Sequence, residues 1–285
     1  VDVYLHLGAH RTGTTAFQAF LQANRARLAA RGTALWLPAD LRGGPLEALA
    51  ARPGGRARAL ADLPLKRHLA QALARLEAAG HCRLIVSEEN LLGTMAGCLA
   101  AAAPYPQAGA RLARLGRLFS GRIVRVGIGL RGYDTWWASV MAFRLLRGGP
   151  VPDAALLDRL AQSPRGWAEV LEEIRAALPG PPVACWRFEA CVNRPQRVLA
   201  RLTGEPAPAA MLPAGHGRNA APCAARLAAH LAGRGAPVLP PGLAAPAGDR
   251  WRPFSQGQAE ALAARYEADL ARLQGDRMAG LDCTG

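Results

Sequence analysis

Lysine is almost missing from this chain. Of its 35 basic residues only Lys66 is lysine, the rest being arginine, and against 21 acidic residues they leave a net charge of +14. Arginine, alanine, glycine and proline are used heavily together, as a very GC-rich coding sequence would dictate. Basicity of that origin gives a general attraction to anions. It does not locate a nucleic-acid surface, no recognition module for nucleic acid is legible, and none is expected. Long hydrophobic runs are also absent: no stretch approaches the ~20 apolar residues of a membrane helix, so no membrane span is expected. The N-terminus lacks a basic segment and a cleavage site, which makes a cytoplasmic protein the expectation. The six cysteines form no C-x-x-C and have no histidines at zinc spacing. Cys82 and Cys185 lie in apolar, strand-like runs, where a free thiol behaves as a small hydrophobe. Reduced, structural cysteines are expected.

What is present is a globular pattern. With 285 residues, 51% hydrophobic and 20% charged, the chain can bury a sizeable core, and no repeat or linker divides it. A single domain over 1–285 is expected. Apolar runs at 2–7, 33–37, 82–87, 122–131 and 182–188 read as strands. Helical periodicity at 14–30, 66–79, 107–119, 134–147 and 255–273 separates or follows them. Asp134 and the pair Ser163–Pro164 read as helix starts, and 39–64 as an irregular excursion. Alternating strands and helices predict an α/β fold of three layers, a mostly parallel central sheet with helices on both faces. Ligands of such sheets lie at the carboxyl ends of the strands.

The first strand-to-helix connection reads "LHLGAHRTGTT", residues 5–15. Gly8 and Gly13 have the spacing of a phosphate-binding G-x-x-x-x-G-K-[ST] loop, but Thr14 stands where the lysine belongs. A cation appears instead at Arg11. A glycine-bearing loop opening a helix presents backbone N–H groups to an anion, and Thr14 and Thr15 add hydroxyls.

"HLGAHRTGTTAFQ" resembles the 5′-phosphosulfate-binding loop of sulfotransferases, written P-K-S-G-T-T or H-K-T-G-T-T. The resemblance implies a P-loop nucleotide-hydrolase-like fold and the donor 3′-phosphoadenosine-5′-phosphosulfate, with adenosine 3′,5′-bisphosphate as product. It places His10, Arg11, Thr12, Gly13, Thr14 and Thr15 around the donor. Arg11 takes the family's lysine position, facing the phosphosulfate bridge, although guanidinium and ammonium differ in shape and hydration. The family's 3′-phosphate site is an arginine ending a strand and a serine eight residues on. Arg131 and Ser139 match it. "GDRWR", 248–252, is similar in a scrambled order to a basic loop over that phosphate, which brings in Arg250 and Arg252.

Sulfuryl transfer needs positioning and stabilisation of charge on the leaving group. The resemblance implies that Arg11 supplies the latter, and no metal is expected because the leaving phosphate oxygen is already weakly basic. The acceptor hydroxyl needs a base. "SEEN", 87–90, puts two carboxylates at a strand end; relatives favour Glu89 over Glu88, and His10 is a rival. The expected activity is transfer to a hydroxyl of a carbohydrate or other polar acceptor, whose specificity falls to 39–64 and 205–254. The alternatives are a magnesium-dependent P-loop kinase or nucleotide hydrolase with a degenerate loop, and a non-catalytic nucleotide-binding protein. Oligomeric state stays open.

Overall fold

The structure is a computed structural model that describes residues 1–52, 54, 56–209, 211–212, 222–234, 242–243, 250–275 and 281–283. Six parallel strands form one sheet: β1 (Asp2–His6), β2 (Thr33–Trp36), β3 (Arg83–Ser87), β4 (Ile123–Leu130), β5 (Val183–Arg187) and β6 (Leu281–Cys283), in the order β2-β3-β1-β4-β5-β6. The helices before β4 are α1 (Thr14–Ala23), α2 (Arg25–Ala29), α3 (Pro38–Leu41), α4 (Arg56–Ala78), α5 (Met95–Ala101) and α6 (Ala108–Phe119). After β4 come α7 (Tyr133–Leu145), α8 (Ala154–Ala161) and α9 (Trp167–Ala177). Beyond β5 lie α10 (Phe188–Cys191), α11 (Pro195–Thr203), α12 (Ala224–Gly233) and α13 (Gln256–Gly275).

Side chains alternate across the sheet, as strand geometry requires. Leu84 and Val86 of β3, with Val183 and Cys185 of β5, enter one core together with apolar residues of α4 to α9, α12 and α13. Ile85, Ala184 and Trp186 enter the other, against Phe17, Phe20 and Leu21 of α1 and Val198, Leu199 and Leu202 of α11. The sheet is therefore covered on both faces, and each buried leucine or phenylalanine stabilises it by roughly 1.5–3 kcal/mol. The chain crosses from one side of β1 to the other between β3 and β4. The loops after β1 and β4 consequently flank a topological switch point, where such sheets open a crevice.

Several local expectations are corrected. The helix expected over 14–30 breaks at Asn24, whose buried side chain bonds the Phe20 carbonyl at 2.9 Å and reaches Leu212, accepting from its N–H at 2.8 Å. Asp134 is not a cap; Gly132 holds that position at the start of α7. Gly166, not Ser163, precedes α9, and Glu169 accepts from its N–H at 2.6 Å. The 39–64 excursion contains a 3₁₀ turn at Pro45–Ala50 and the start of α4. The cysteines are not all reduced: Cys185 is disulfide-bonded, while Cys82, Cys98, Cys191 and Cys223 are free. β6, which no sequence signal announced, brings the C-terminal segment into register with β5.

Three helices meet at one buried polar knot. Tyr133 of α7 donates to Asp269 of α13 and accepts from the N–H of Trp167, the first residue of α9. The same Asp269 oxygen accepts from Trp167 N–H at 2.9 Å. Removal of the phenol should leave the buried carboxylate short of a donor. Tyr133→Phe should cost about 1.5–3 kcal/mol, read as a lowered urea midpoint at unchanged m-value; an unmoved midpoint would count against the knot.

Candidate functional site

The loop after β1 owes its shape to backbone that most side chains resist. Gly8 has φ +60°, and a Cβ there would lie 2.6 Å from Thr14 Oγ1 and 2.9 Å from His6 Cε1. Gly13 opens α1 at φ +83°. Arg11 adopts φ +64° without being glycine, a conformation that costs energy and persists only where its surroundings hold it. Two hydroxyls lock the loop from inside: Thr12 donates to the Gly8 carbonyl at 2.6 Å, and Thr14 donates to the same carbonyl at 2.5 Å. Both are buried. Thr14 therefore spends its proton on the loop, leaving the N–H groups of the first turn of α1 as the outward donors. No acidic residue occupies that turn, so the positive end of the helix dipole is uncompensated.

The loop after β4 closes on it. Arg11 Nε donates to Ser139 Oγ at 2.9 Å across 128 residues of sequence, and Arg131 Nη1 donates to the Arg11 carbonyl at 2.9 Å across 120. Arg131 Nε reaches Thr135 Oγ1 at 3.3 Å, so neither bond uses Nη2. The Arg131 guanidinium lies 4.8 Å over the Phe188 ring. Burial pulls its pKa down to about 10; Glu189 works against that, and Arg250 and Arg11 add to it by repulsion. It remains a cation at neutral pH. Arg11 is lowered in the same way, by burial first and then by Arg147. Four guanidiniums are thus coupled by repulsion, Arg250 and Arg11 acting on Arg131 and Arg147 on Arg11, a field that favours an anion.

An aromatic cluster holds both loops from behind. Trp136 Nε1 donates to the His10 carbonyl at 2.7 Å and Trp167 Nε1 to the Arg131 carbonyl at 2.9 Å. The Tyr105 hydroxyl accepts from His10 N–H at 2.6 Å and lies 2.9 Å from His10 Nδ1. His10 Nε2 faces Asn90 Oδ1 at 3.4 Å. Both ring nitrogens of His10 thus have a side-chain partner, Nδ1 in Tyr105 and Nε2 in Asn90.

The two glutamates differ in surroundings. Glu88 is buried and accepts from Arg42 through both oxygens, at 2.9 and 2.8 Å, and from Asn90 N–H at 3.1 Å. Glu89 is less enclosed; Gln18 of α1 donates to its Oε2 at 3.1 Å, and Arg42 stands 3.5 Å from Oε1. Arg42 is therefore the cation paired with both carboxylates. It lies in the segment read from sequence as an irregular excursion and was missed, as was Gln18, a helix-interior residue with no motif around it. Thr15 stands beside the loop in the first turn of α1. Of the two arginines of the scrambled loop, Arg250 lies close enough to repel Arg131.

Burial lowers the pKa of His6 to about 3 and of His10 to about 4. Both stay neutral in the folded protein at pH values where the unfolded chain has bound a proton. Below the ordinary histidine value near 6.5 the unfolded state thus carries more protons, and stability falls as pH falls. Between pH 6.5 and 5, above the carboxylate range, the loss should approach about 1.4 kcal/mol per pH unit for each histidine. Urea midpoints across that window should drop, and His10→Gln should flatten the slope. An unchanged slope would mean that His10 is not held neutral.

Comparison with protein-family models, with curated proteins and with solved structures finds no match to this chain.

Proposed function

We propose that the chain is a sulfotransferase, moving a sulfuryl group from 3′-phosphoadenosine-5′-phosphosulfate to a hydroxyl of a carbohydrate or other polar acceptor. One observation carries the reading: Arg11 and Ser139 share a hydrogen bond of 2.9 Å while Arg131 grips the Arg11 backbone at 2.9 Å. Two stretches of sequence that separately resemble the two phosphate sites of one donor converge on a single cationic cradle. The donor set fits such a ligand: helix N–H groups, the buried Arg131, the half-buried Arg11 and the buried Ser139 hydroxyl.

In this proposal the N–H groups opening α1, with Thr15, hold the 5′-phosphate, and Arg131 and Ser139 hold the 3′-phosphate. Arg11 faces the bridging oxygen, where negative charge grows as the sulfur–oxygen bond breaks. Glu89 takes the acceptor's proton as the new oxygen–sulfur bond forms, and adenosine 3′,5′-bisphosphate leaves. Gln18 and Arg42 orient that carboxylate. Glu88 is the anchor of Arg42.

Calorimetry with adenosine 3′,5′-bisphosphate, AMP and ATP tests the donor site. The bisphosphate should bind without magnesium and more tightly than either, and Arg131→Ala should weaken it by about ten- to a hundredfold, the worth of charged hydrogen bonds. Equal affinity for AMP and the bisphosphate would sink the reading, and magnesium-dependent preference for ATP would favour a nucleotide hydrolase.

The two carboxylates should separate by readout. With an acceptor in hand, Glu89→Gln should lower turnover by about 10²–10⁴ with donor binding nearly unchanged. Glu88→Gln should act chiefly on stability, because it removes the buried carboxylate that holds Arg42 through two hydrogen bonds. Full turnover in the Glu89 variant would discard it as the base.

A further inference from the structure

Two arginines one turn apart on α6, Arg111 and Arg114, clamp the 3₁₀ turn at Pro45–Ala50. Both are buried, Arg111 to 6% exposure and Arg114 to 2%. Arg114 pairs its charge with Asp62 at 2.7 Å and donates to the carbonyls of Leu49 and Ala48. Arg111 has no such counterpart. Its Nη1 donates to the Ala50 carbonyl at 2.9 Å and to the Asn90 carbonyl at 3.3 Å, and it enters no ion pair among the described residues. Carbonyls solvate a guanidinium without balancing its charge, and a buried charge is ordinarily paired.

The surroundings deepen the imbalance. The pKa of Arg111 is lowered by burial first, then by repulsion from Arg52 and Arg114. Cys98 acts the other way, but burial pushes that thiol up to about 12, so it is uncharged at neutral pH. Arg52 lies two residues beyond the Ala50 carbonyl, is exposed and enters no ion pair among the described residues. Asp62 therefore matches one of three cations and leaves two. Arg111 also holds donors in reserve: Nε and Nη2, along one edge of the fork, make no hydrogen bond to a described residue. Such an edge binds an oxyanion through two parallel bonds. Gly93 lies beside it at φ +142°, where a Cβ would come 3.8 Å from Nε, so no side chain of that residue covers the edge.

We propose that Arg111 and Arg52 form a binding site for a divalent tetrahedral oxyanion, sulfate or phosphate, held on the unused edge of Arg111 with Arg52 as the second cation. The charge selects the class, because two unmatched cations call for a dianion. Neither arginine belongs to the proposed donor or base contacts, and the inference does not depend on the sulfotransferase reading. The site adjoins the 3₁₀ turn at Glu89–Leu91, where the Asn90 carbonyl takes Arg111 and its side chain faces His10 Nε2 at 3.4 Å. An anion on Arg111 braces that turn.

Selenate, a sulfate analogue that scatters X-rays anomalously, is the probe for position. Wild-type crystals soaked in sodium selenate should show a selenium peak against Arg111 Nε and Nη2, separate from any peak at residues 8–15. Affinity is read from urea midpoints of Arg131→Ala, which weakens the proposed donor cradle, as sodium chloride is exchanged for sodium sulfate at constant ionic strength. The midpoint should rise and level off, as binding to the native state requires, whereas general stabilisation by excluded sulfate keeps climbing. Adding Arg52→Ala should raise the half-saturating sulfate concentration about tenfold, the worth of one charged hydrogen bond. Arg111→Lys, which keeps the charge and loses the edge, should remove the saturating phase. A parallel series in sodium phosphate identifies which anion the site takes, and saturation by either supports it. No selenium at Arg111 overturns the proposal, and so does a saturating phase that Arg52→Ala leaves unmoved. A peak without a saturating phase means binding at crystal concentration only, which overturns it as well.

Discussion

Two indole N–H groups hold the site together. Trp136 donates to the His10 carbonyl and Trp167 to the Arg131 carbonyl, and both rings are fully buried. A buried carbonyl without a partner costs about 1–3 kcal/mol, so one loop is anchored at the residue beside Arg11 and the other at Arg131 itself. Tyr105 completes the anchoring of His10 and packs against Trp136 and Trp167. The cations stand on a rigid aromatic wall and not on mobile loops, which is what an anion cradle requires if its donors are not to collapse away from one another.

The excess of arginine has a second use. Arg114 is buried, paired with Asp62 at 2.7 Å and bonded to the carbonyls of Leu49 and Ala48, each at 2.9 Å. Arg165 ties the carbonyls of Pro104 and Tyr105 to Glu173. Such residues act as cross-links between segments without regular structure, using the planar fork that lysine lacks. The cations of the two loops differ from these staples in lying close to other cations, Arg11 to Arg147 and Arg131 to Arg250.

The strand-loop-helix opening was readable because glycine spacing and apolar periodicity coincide there, and Arg131 and Ser139 were singled out by resemblance to a sulfotransferase 3′-phosphate site. What sequence could not carry was the long-range pairing. Nothing near Arg42 says that it will meet Glu88, because that contact depends on how β2 and β3 lie side by side. Arg147 and Phe143 read as ordinary helix residues, yet the Phe143 ring carries both the Arg147 and the Arg11 guanidinium. The disulfide at Cys185 escaped for a related reason: it lies in a strand whose apolar neighbours mask it as core, and β6 pairs there from nearly a hundred residues away. Capping errors were local. Gly132 and Gly166 serve where a polar side chain was expected, since buried groups already hold the helix ends in place.

The central position of β1 has a consequence for how the cradle comes into being. β1 precedes its sheet partners β3 and β4 along the chain, and the indole that braces the Arg131 carbonyl comes later still, with Trp167. Contacts so distant along the chain are made late, after loop-closure entropy has been overcome. The residues 8–15 must therefore wait, as a glycine-rich segment without its aromatic support, until α9 has left the ribosome. A ribosome stalled before that point would hold the sequence of residues 8–15 in full and their folded arrangement not at all.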